Sequence, residues 1–328
     1  MHRPLVESER RAALIGALTA SALGVVVVGV VVIGGVVIGG GRARAAAKLP
    51  CKTIKACAKR CRAQDWPSCV RLADLDKSPV KKRIRTRRPH FLFAHACGQG
   101  YALACSRLGE LHWSGQYVRQ SYRRAVELFA RACKGGSAAG CGNVGLALLT
   151  GHGLKRDYKA AVAKLAQGCN GGALLACNRL GFVYMGGKGV RRDEARAAKL
   201  FHKACAGGSS RGCANLGLAY MRGQGVKADA RTAAALLTRA CKARLAHACS
   251  KLGFLYVRGA GVKRDRRRAA QLFGAGCDAG DVDGCYNLAY MFEAGDGVTR
   301  DKAKARALYG KACRAGHRTA CARARGIR

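Results

Sequence analysis

Cysteine recurs in this chain on a period that never slips. The first members of a series of pairs stand at positions 61, 97, 133, 169, 205, 241, 277 and 313, and each has a partner eight residues on. Eight pairs with a fixed period of 36 residues describe one supersecondary unit stacked on copies of itself, because a unit that cannot bury its apolar face alone must bury it on a neighbour. Cys51 and Cys57 stand outside this ladder, to bond with each other or to link chains.

Other positions keep the same period. Three residues after the second cysteine come Leu180, Leu216, Leu252 and Leu288, followed by Gly181, Gly217 and Gly253; at seven residues come Tyr184, Tyr220 and Tyr256. Apolar positions three and four apart form one face of a helix. A glycine inside that helix costs about 1 kcal/mol relative to alanine, so its recurrence predicts a neighbouring helix that approaches closely there. The helix then meets a Gly-x-Gly at Gly151/Gly153, Gly187/Gly189, Gly223/Gly225, Gly259/Gly261 and Gly295/Gly297. Glycine ends helices cheaply in the left-handed conformation. Asp157, Asp193, Asp229, Asp265 and Asp301 follow, each before an Ala-rich run, as N-caps of a second helix would. The unit is two antiparallel helices, and the fold class is an all-α solenoid of 36-residue repeats.

The cysteine spacing now acquires a geometric meaning. Residues eight apart in one helix are about 12 Å apart, whereas a disulfide needs roughly 4.4–6.8 Å between Cα atoms. The pair can close only across a turn, which Gly207-Gly208 supplies in one unit. The expected bridges are Cys61–Cys69, Cys97–Cys105, Cys133–Cys141, Cys169–Cys177, Cys205–Cys213, Cys241–Cys249, Cys277–Cys285 and Cys313–Cys321, each stapling the second helix of one repeat to the first helix of the next. Such a loop is worth on the order of 2–3 kcal/mol in the chain-entropy account. Zinc is the rival reading, but C-x(7)-C without matching histidines is not its usual spacing, and neither a metal nor a cofactor is expected.

Composition bears on compartment and partners. Regular, dense cysteines point to an oxidising compartment. Sixty Lys and Arg against eighteen Asp and Glu give a formal charge of +42, which favours an acidic protein, peptide or cell-wall ligand, or merely keeps the surface solvated. A basic surface would also suit nucleic acid, with an affinity falling steeply with salt; an aromatic fraction of 6% offers few stacking platforms and speaks against it.

Residues 1–11 form a short tail, and residues 12–41 contain no charge. Thirty uncharged residues exceed the roughly 20 that span a bilayer as a helix and the 7–15 of a signal-peptide core. A membrane anchor of one hydrophobic helix is expected, with a cleaved export signal, ending at the "ARA" of 43–45, as the alternative. The flanking charges conflict with export: Arg3, Arg10 and Arg11 precede the segment, while Arg42, Arg44, Lys48, Lys52 and Lys55 follow it. The cysteines outweigh them, since large domains translocate largely regardless of charge. Residues 42–60 are a linker. The 61–96 unit keeps the cysteine period but carries "DKSPVKKRIRTRRPH" in place of its Gly-x-Gly, either a degenerate, basic first repeat or an arm for polyanions. The 97–132 unit has Gln116-Tyr117 where the Gly-x-Gly would end, and residues 97–328 form the solenoid.

Residues 97–321 resemble the Sel-one-like repeat family, relatives of the tetratricopeptide repeats, through "LGFVYMGGKGVRRDEARAAKLFHKA" (180–204) and its neighbours. The resemblance implies a right-handed α/α solenoid that mediates protein interactions. The C-x(7)-C staple further resembles the cysteine-rich secreted branch, described as penicillin-binding proteins or β-lactamases, and that label implies a β-lactam hydrolase as the alternative function. The residues themselves lend it little. Ser78 and Lys81 make an S-x-x-K, but Pro79 follows the serine and no S-D-N or K-T-G accompanies it. The eight histidines form no H-E-x-x-H, and His90 and His95 suit packing at the first helix.

Two residues after the second cysteine stand Arg107, Asn143, Arg179, Asn215, Lys251 and Asn287. This polar ladder on an otherwise apolar helix is the candidate ligand-binding row of a concave face. Asparagines can donate and accept, and Arg and Lys attract carboxylates. Bracing of neighbouring helices would need the same residue types.

Overall fold

The computed structural model describes residues 89–327. The apolar segment 12–41, Cys51, Cys57, the Cys61–Cys69 pair, Ser78 and Lys81 all lie outside the described residues. Within them the chain forms fourteen helices and no strand: α1 Pro89–Gly98, α2 Ala102–Ser114, α3 Tyr122–Lys134, α4 Ala138–Thr150, α5 Tyr158–Asn170, α6 Leu174–Gly186, α7 Glu194–Ala206, α8 Ser210–Arg222, α9 Ala230–Lys242, α10 Ala246–Arg258, α11 Arg266–Asp278, α12 Val282–Ala294, α13 Lys302–Arg314 and α14 Arg318–Gly326. None of these helices is long and apolar enough to cross a membrane. Even-numbered helices open each repeat (A helices) and odd-numbered ones close it (B helices), and each helix packs on the one before and the one after.

Local chemistry sets the boundaries. Gly151, Gly187, Gly223, Gly259 and Gly295 end A helices at φ between 65° and 77° and return their N–H to the carbonyl four residues back. A few residues on, Asp157, Asp193, Asp229, Asp265 and Asp301 hold extended backbone, and each side chain accepts an N–H of the first turn of the following B helix. That satisfies donors a helix start otherwise leaves unpaired. The second glycine of each Gly-x-Gly has a different task. The loop lies on the first residues of the preceding repeat's B helix, so a Cβ on Gly189 would strike Tyr158, 2.5 Å from its own Cβ. Asp296, between Gly295 and Gly297, also pairs with Arg266 at the start of α11.

The recurring glycine four residues after the second cysteine is a notch for one large side chain. An added Cβ would stand 2.6 Å from the Phe129 ring at Gly109, 2.6 Å from Leu165 at Gly145, and 2.5 Å from Phe201 at Gly181. At Gly217 and Gly253 the corresponding distances, to Leu237 and Phe273, are 3.0 Å. The A helix thus gives up its side chain where the B helix inserts a Phe or Leu, each buried. Burying such a side chain contributes about 1.5–3 kcal/mol, which exceeds the helix propensity lost at the glycine.

From B to the next A the chain turns through one corner repeated seven times. In the fourth repeat's corner, Gly208 N–H bonds Cys205 O at 2.9 Å and Ser209 N–H bonds Ala204 O at 2.9 Å. Gly100, Gly136, Gly172, Gly208, Gly280 and Gly316 take the positive φ this corner needs, between 82° and 99°; at the fifth corner Arg244 takes it instead, at 59°. The corner brings the paired cysteines together: Cys97–Cys105, Cys133–Cys141, Cys169–Cys177, Cys205–Cys213, Cys241–Cys249, Cys277–Cys285 and Cys313–Cys321 are bonded, with Cα atoms 4.5–4.6 Å apart. Every bond joins a B helix to the A helix of the following repeat. A series of disulfides on this scale belongs to an oxidising, extracytoplasmic setting.

The partly degenerate ends are accommodated. Pro89 opens α1 at a position where its missing N–H costs nothing, and His90 packs against Phe91 with ring centroids 4.1 Å apart. Tyr117 keeps a positive φ of 64° where later repeats have their second glycine.

Candidate functional site

Consecutive A helices pack directly on one another at α2–α4, α4–α6, α6–α8 and α10–α12, more closely than consecutive B helices do. The A helices therefore line the inner side of the array. Residues three, four and seven apart share a helix face, so the inner surface is built from three registers of each A helix.

The first register is the polar ladder. Arg107, Asn143, Arg179, Asn215, Lys251 and Asn287 are all half-buried. Four of them, Asn143, Arg179, Asn215 and Lys251, connect to a neighbouring repeat. Arg179 Nη1 donates to Asn143 Oδ1 at 3.2 Å and to Gly142 O at 3.4 Å. Asn215 Nδ2 donates to Asn178 Oδ1 at 2.6 Å. Arg107 pairs within its own helix with Glu110 at 3.0 Å, and Lys251 lies 3.7 Å from Asp283 of the next A helix. Bracing of neighbouring helices is thus a role these side chains fill, and any ligand would add to it.

Three residues further on lies a second register: Glu110, Leu146, Phe182, Leu218, Phe254 and Tyr290. Phe182 is 54% exposed, Phe254 41% and Tyr290 48%. These are side chains that normally seek burial, one repeat or two apart, on the same inner rows. Arg258 lies over the Phe254 ring at 5.2 Å. Their period of 36 was visible in the sequence. It carries no separate signal there, because each sits beside the core positions of an already apolar helix and looks like one of them.

The third register precedes the second cysteine by two: Leu103, Ala139, Leu175, Arg211, His247 and Asp283. It meets the polar ladder of the preceding repeat, as the Lys251–Asp283 pair shows. His247 Nδ1 also stands 3.8 Å from Asp281 Oδ1. At Arg179 the meeting is of like charges. Burial, and next the charge of Arg211, push the Arg179 guanidinium down to about 10, with Glu110 pulling the other way; it stays cationic at neutral pH.

Among the described residues, no group of three or more His, Cys, Asp or Glu could hold a metal ion. Ser78, the sequence's candidate nucleophile, falls outside them.

The model of the Sel1 repeat matches residues 102–137, 138–163, 174–209, 210–244, 246–281 and 282–317. Nothing among the curated proteins matches. Among solved structures, c5321, a protective antigen present in uropathogenic Escherichia coli strains displaying an SLR fold, is 30% identical and superposes with a TM-score of 0.63. The match covers 70% of this chain and half the length of that one. A Sel1 repeat protein from Oxalobacter formigenes is 20% identical, with a TM-score of 0.61 over 79% of this chain and 96% of its own, and shows the fold alone. The repeat model spans most of the described residues, unit by unit and in step with the helix pairs, and the chain belongs to the Sel1 repeat family.

Proposed function

We propose that this protein is a disulfide-braced scaffold whose inner face binds another protein as an extended segment. One observation carries the reading: Phe182, Phe254 and Tyr290 stand exposed on equivalent rows of α6, α10 and α12. Exposed aromatics aligned on a rigid surface mark a contact surface, and the half-buried polar ladder beside them offers amide and guanidinium donors for a partner's main chain. In this reading the 12–41 segment holds the scaffold at a membrane with the repeats outside the cytoplasm, and its deletion releases the protein from the membrane fraction.

The test is site-specific photocrosslinking in cells producing the full-length chain. A benzoylphenylalanine replaces either Phe182 on the inner face or Lys199, exposed on B helix α7. Adducts with a discrete partner are expected from position 182 and not from 199. Equal yields at both positions, or adducts from 199 alone, would overturn the reading.

A further inference from the structure

The inner face has a built-in comparison. Lys251 of one repeat and Asp283 of the next occupy the polar-ladder and third-register positions that face each other, and they form an ion pair at 3.7 Å. Two repeats earlier the same two positions hold Arg179 and Arg211. The joint that carries opposite charges between α10 and α12 carries like charges between α6 and α8. Among the described residues, no carboxylate lies within ion-pair distance of either guanidinium. Glu110, the acidic group that acts on Arg179, is already taken up by Arg107 at 3.0 Å. The α10–α12 stretch, by contrast, sets Asp281 and Asp283 against His247 and Lys251.

Arg179 is half-buried and Arg211 exposed, and their like charges disfavour one another unless an anion bridges them. Donors that suit such an anion surround the pair. Asn143 uses its Oδ1 as acceptor for Arg179, which leaves its amide hydrogens to donate; Asn215 uses one side-chain N–H on Asn178. The surroundings are not simply polar. Leu175, Arg179 and Phe182 follow at i, i+4 and i+7 on α6, so the guanidinium lies between two exposed apolar side chains, 39% and 54% accessible. A small hydrated inorganic anion has no use for such flanks. A carboxylate on a peptide, with apolar side chains on either side, matches both features, and guanidinium recognises the planar carboxylate through paired donors.

We propose that Arg179 and Arg211, with the amides of Asn143 and Asn215, form a carboxylate site that takes an Asp or Glu of the docked segment, whose apolar neighbours rest on Leu175 and Phe182. The inference rests on the inner face being the docking surface and names the chemistry it selects.

Binding of two fluorescein-labelled nonapeptides to the full-length chain, one alternating Leu with Glu and one alternating Leu with Gln, is measured by anisotropy at low salt. The Glu peptide is expected to bind at least about tenfold more tightly, as loss of charge-assisted hydrogen bonds implies. Arg211→Glu abolishes that preference, while Lys199→Glu on the outer side of the array leaves it intact. In peptide-free protein Arg211→Glu raises the thermal midpoint, because it recreates the pairing seen at Lys251 and Asp283. The proposal is overturned if the preference survives Arg211→Glu, if Lys199→Glu removes it equally and bulk charge is responsible, or if the midpoint falls. Displacement of the Glu peptide by millimolar inorganic phosphate but not by acetate would also overturn it in favour of a phosphate site. A Phe182→Ser, Phe254→Ser variant separates the two levels. If it weakens both peptides while Arg211→Glu changes nothing, the docking surface stands and the carboxylate site falls.

Discussion

Replacing Gly181 with alanine puts a methyl group where the structure has the Phe201 ring. The new Cβ would stand 2.5 Å from Cε1, 2.9 Å from Cδ1 and 3.0 Å from Cζ. The ring is 1% exposed, so it can escape only by displacing the B helix. Overpacking of this kind costs about 1–3 kcal/mol, while alanine regains about 1 kcal/mol of helix propensity over glycine, leaving a net loss of up to about 2 kcal/mol. Gly186→Ala, in the last turn of the same helix, is the matched control. There the added methyl meets nothing nearer than Lys188 Cγ at 3.9 Å, and only the propensity gain remains. The two variants should therefore differ by about 1–3 kcal/mol, or about 2–4 °C in midpoint per kcal/mol for a domain of this size. Gly217→Ala should fall between them, since its Cβ would approach Leu237 only to 3.0 Å. Thermal unfolding followed by circular dichroism under oxidising conditions ranks the three. Phe201→Leu added to Gly181→Ala should recover part of the loss, because contacting residues couple. If Gly181→Ala and Gly186→Ala unfold together, the glycine is not a notch and the account of A–B packing is wrong.

Two further perturbations address the corners and the caps. Arg244→Gly should stabilise the fifth corner by about 1–2 kcal/mol, because it removes a left-handed conformation from a residue with a Cβ; Arg244→Ala, which keeps the Cβ, should not, and equal effects of the two would refute the assignment. At low pH, Asp229 and Asp301 should contribute to unfolding. Asp229 is held below the ordinary 3.8 by hydrogen bonds from the Thr232 hydroxyl and then its N–H, and Asp301 by the Lys304 N–H and then its ammonium. The unfolded chain takes up these protons first, so the stabilisation is complete above pH 3.8 and is lost as the pH falls through the lower folded values. A double Asp229→Asn, Asp301→Asn variant, still able to cap, should show a flatter decline in midpoint between pH 5 and 3; an unchanged decline would exclude the two caps as its source.

How far the sequence could be read depended on whether a position repeats. The cysteines, the Gly181 series and the Asp193 series recur on one period, and each has a single cheap structural explanation, so helix pairs, notches and caps followed directly. Arg244 did not, because the corner's left-handed residue is glycine everywhere else and nothing in "CKARLAHAC" announces that an arginine adopts it. Phe182 was hidden by its setting, since an exposed phenylalanine among core positions of an apolar helix carries no separate signal. Arg179 and Arg211 are 32 residues apart, and neither is unusual alone. Their opposition is meaningful only once Lys251 and Asp283 show which registers face across a joint.

Each staple closes a ring of very few residues, so it scarcely shortens the chain when the helices melt. What persists in the oxidised, denatured protein is a string of ready-made elbows, seven among the described residues. Every elbow already holds the end of one hairpin against the start of the next. Refolding from that state needs no search for which segments are adjacent, and can run outward from any elbow like a zip with many sliders.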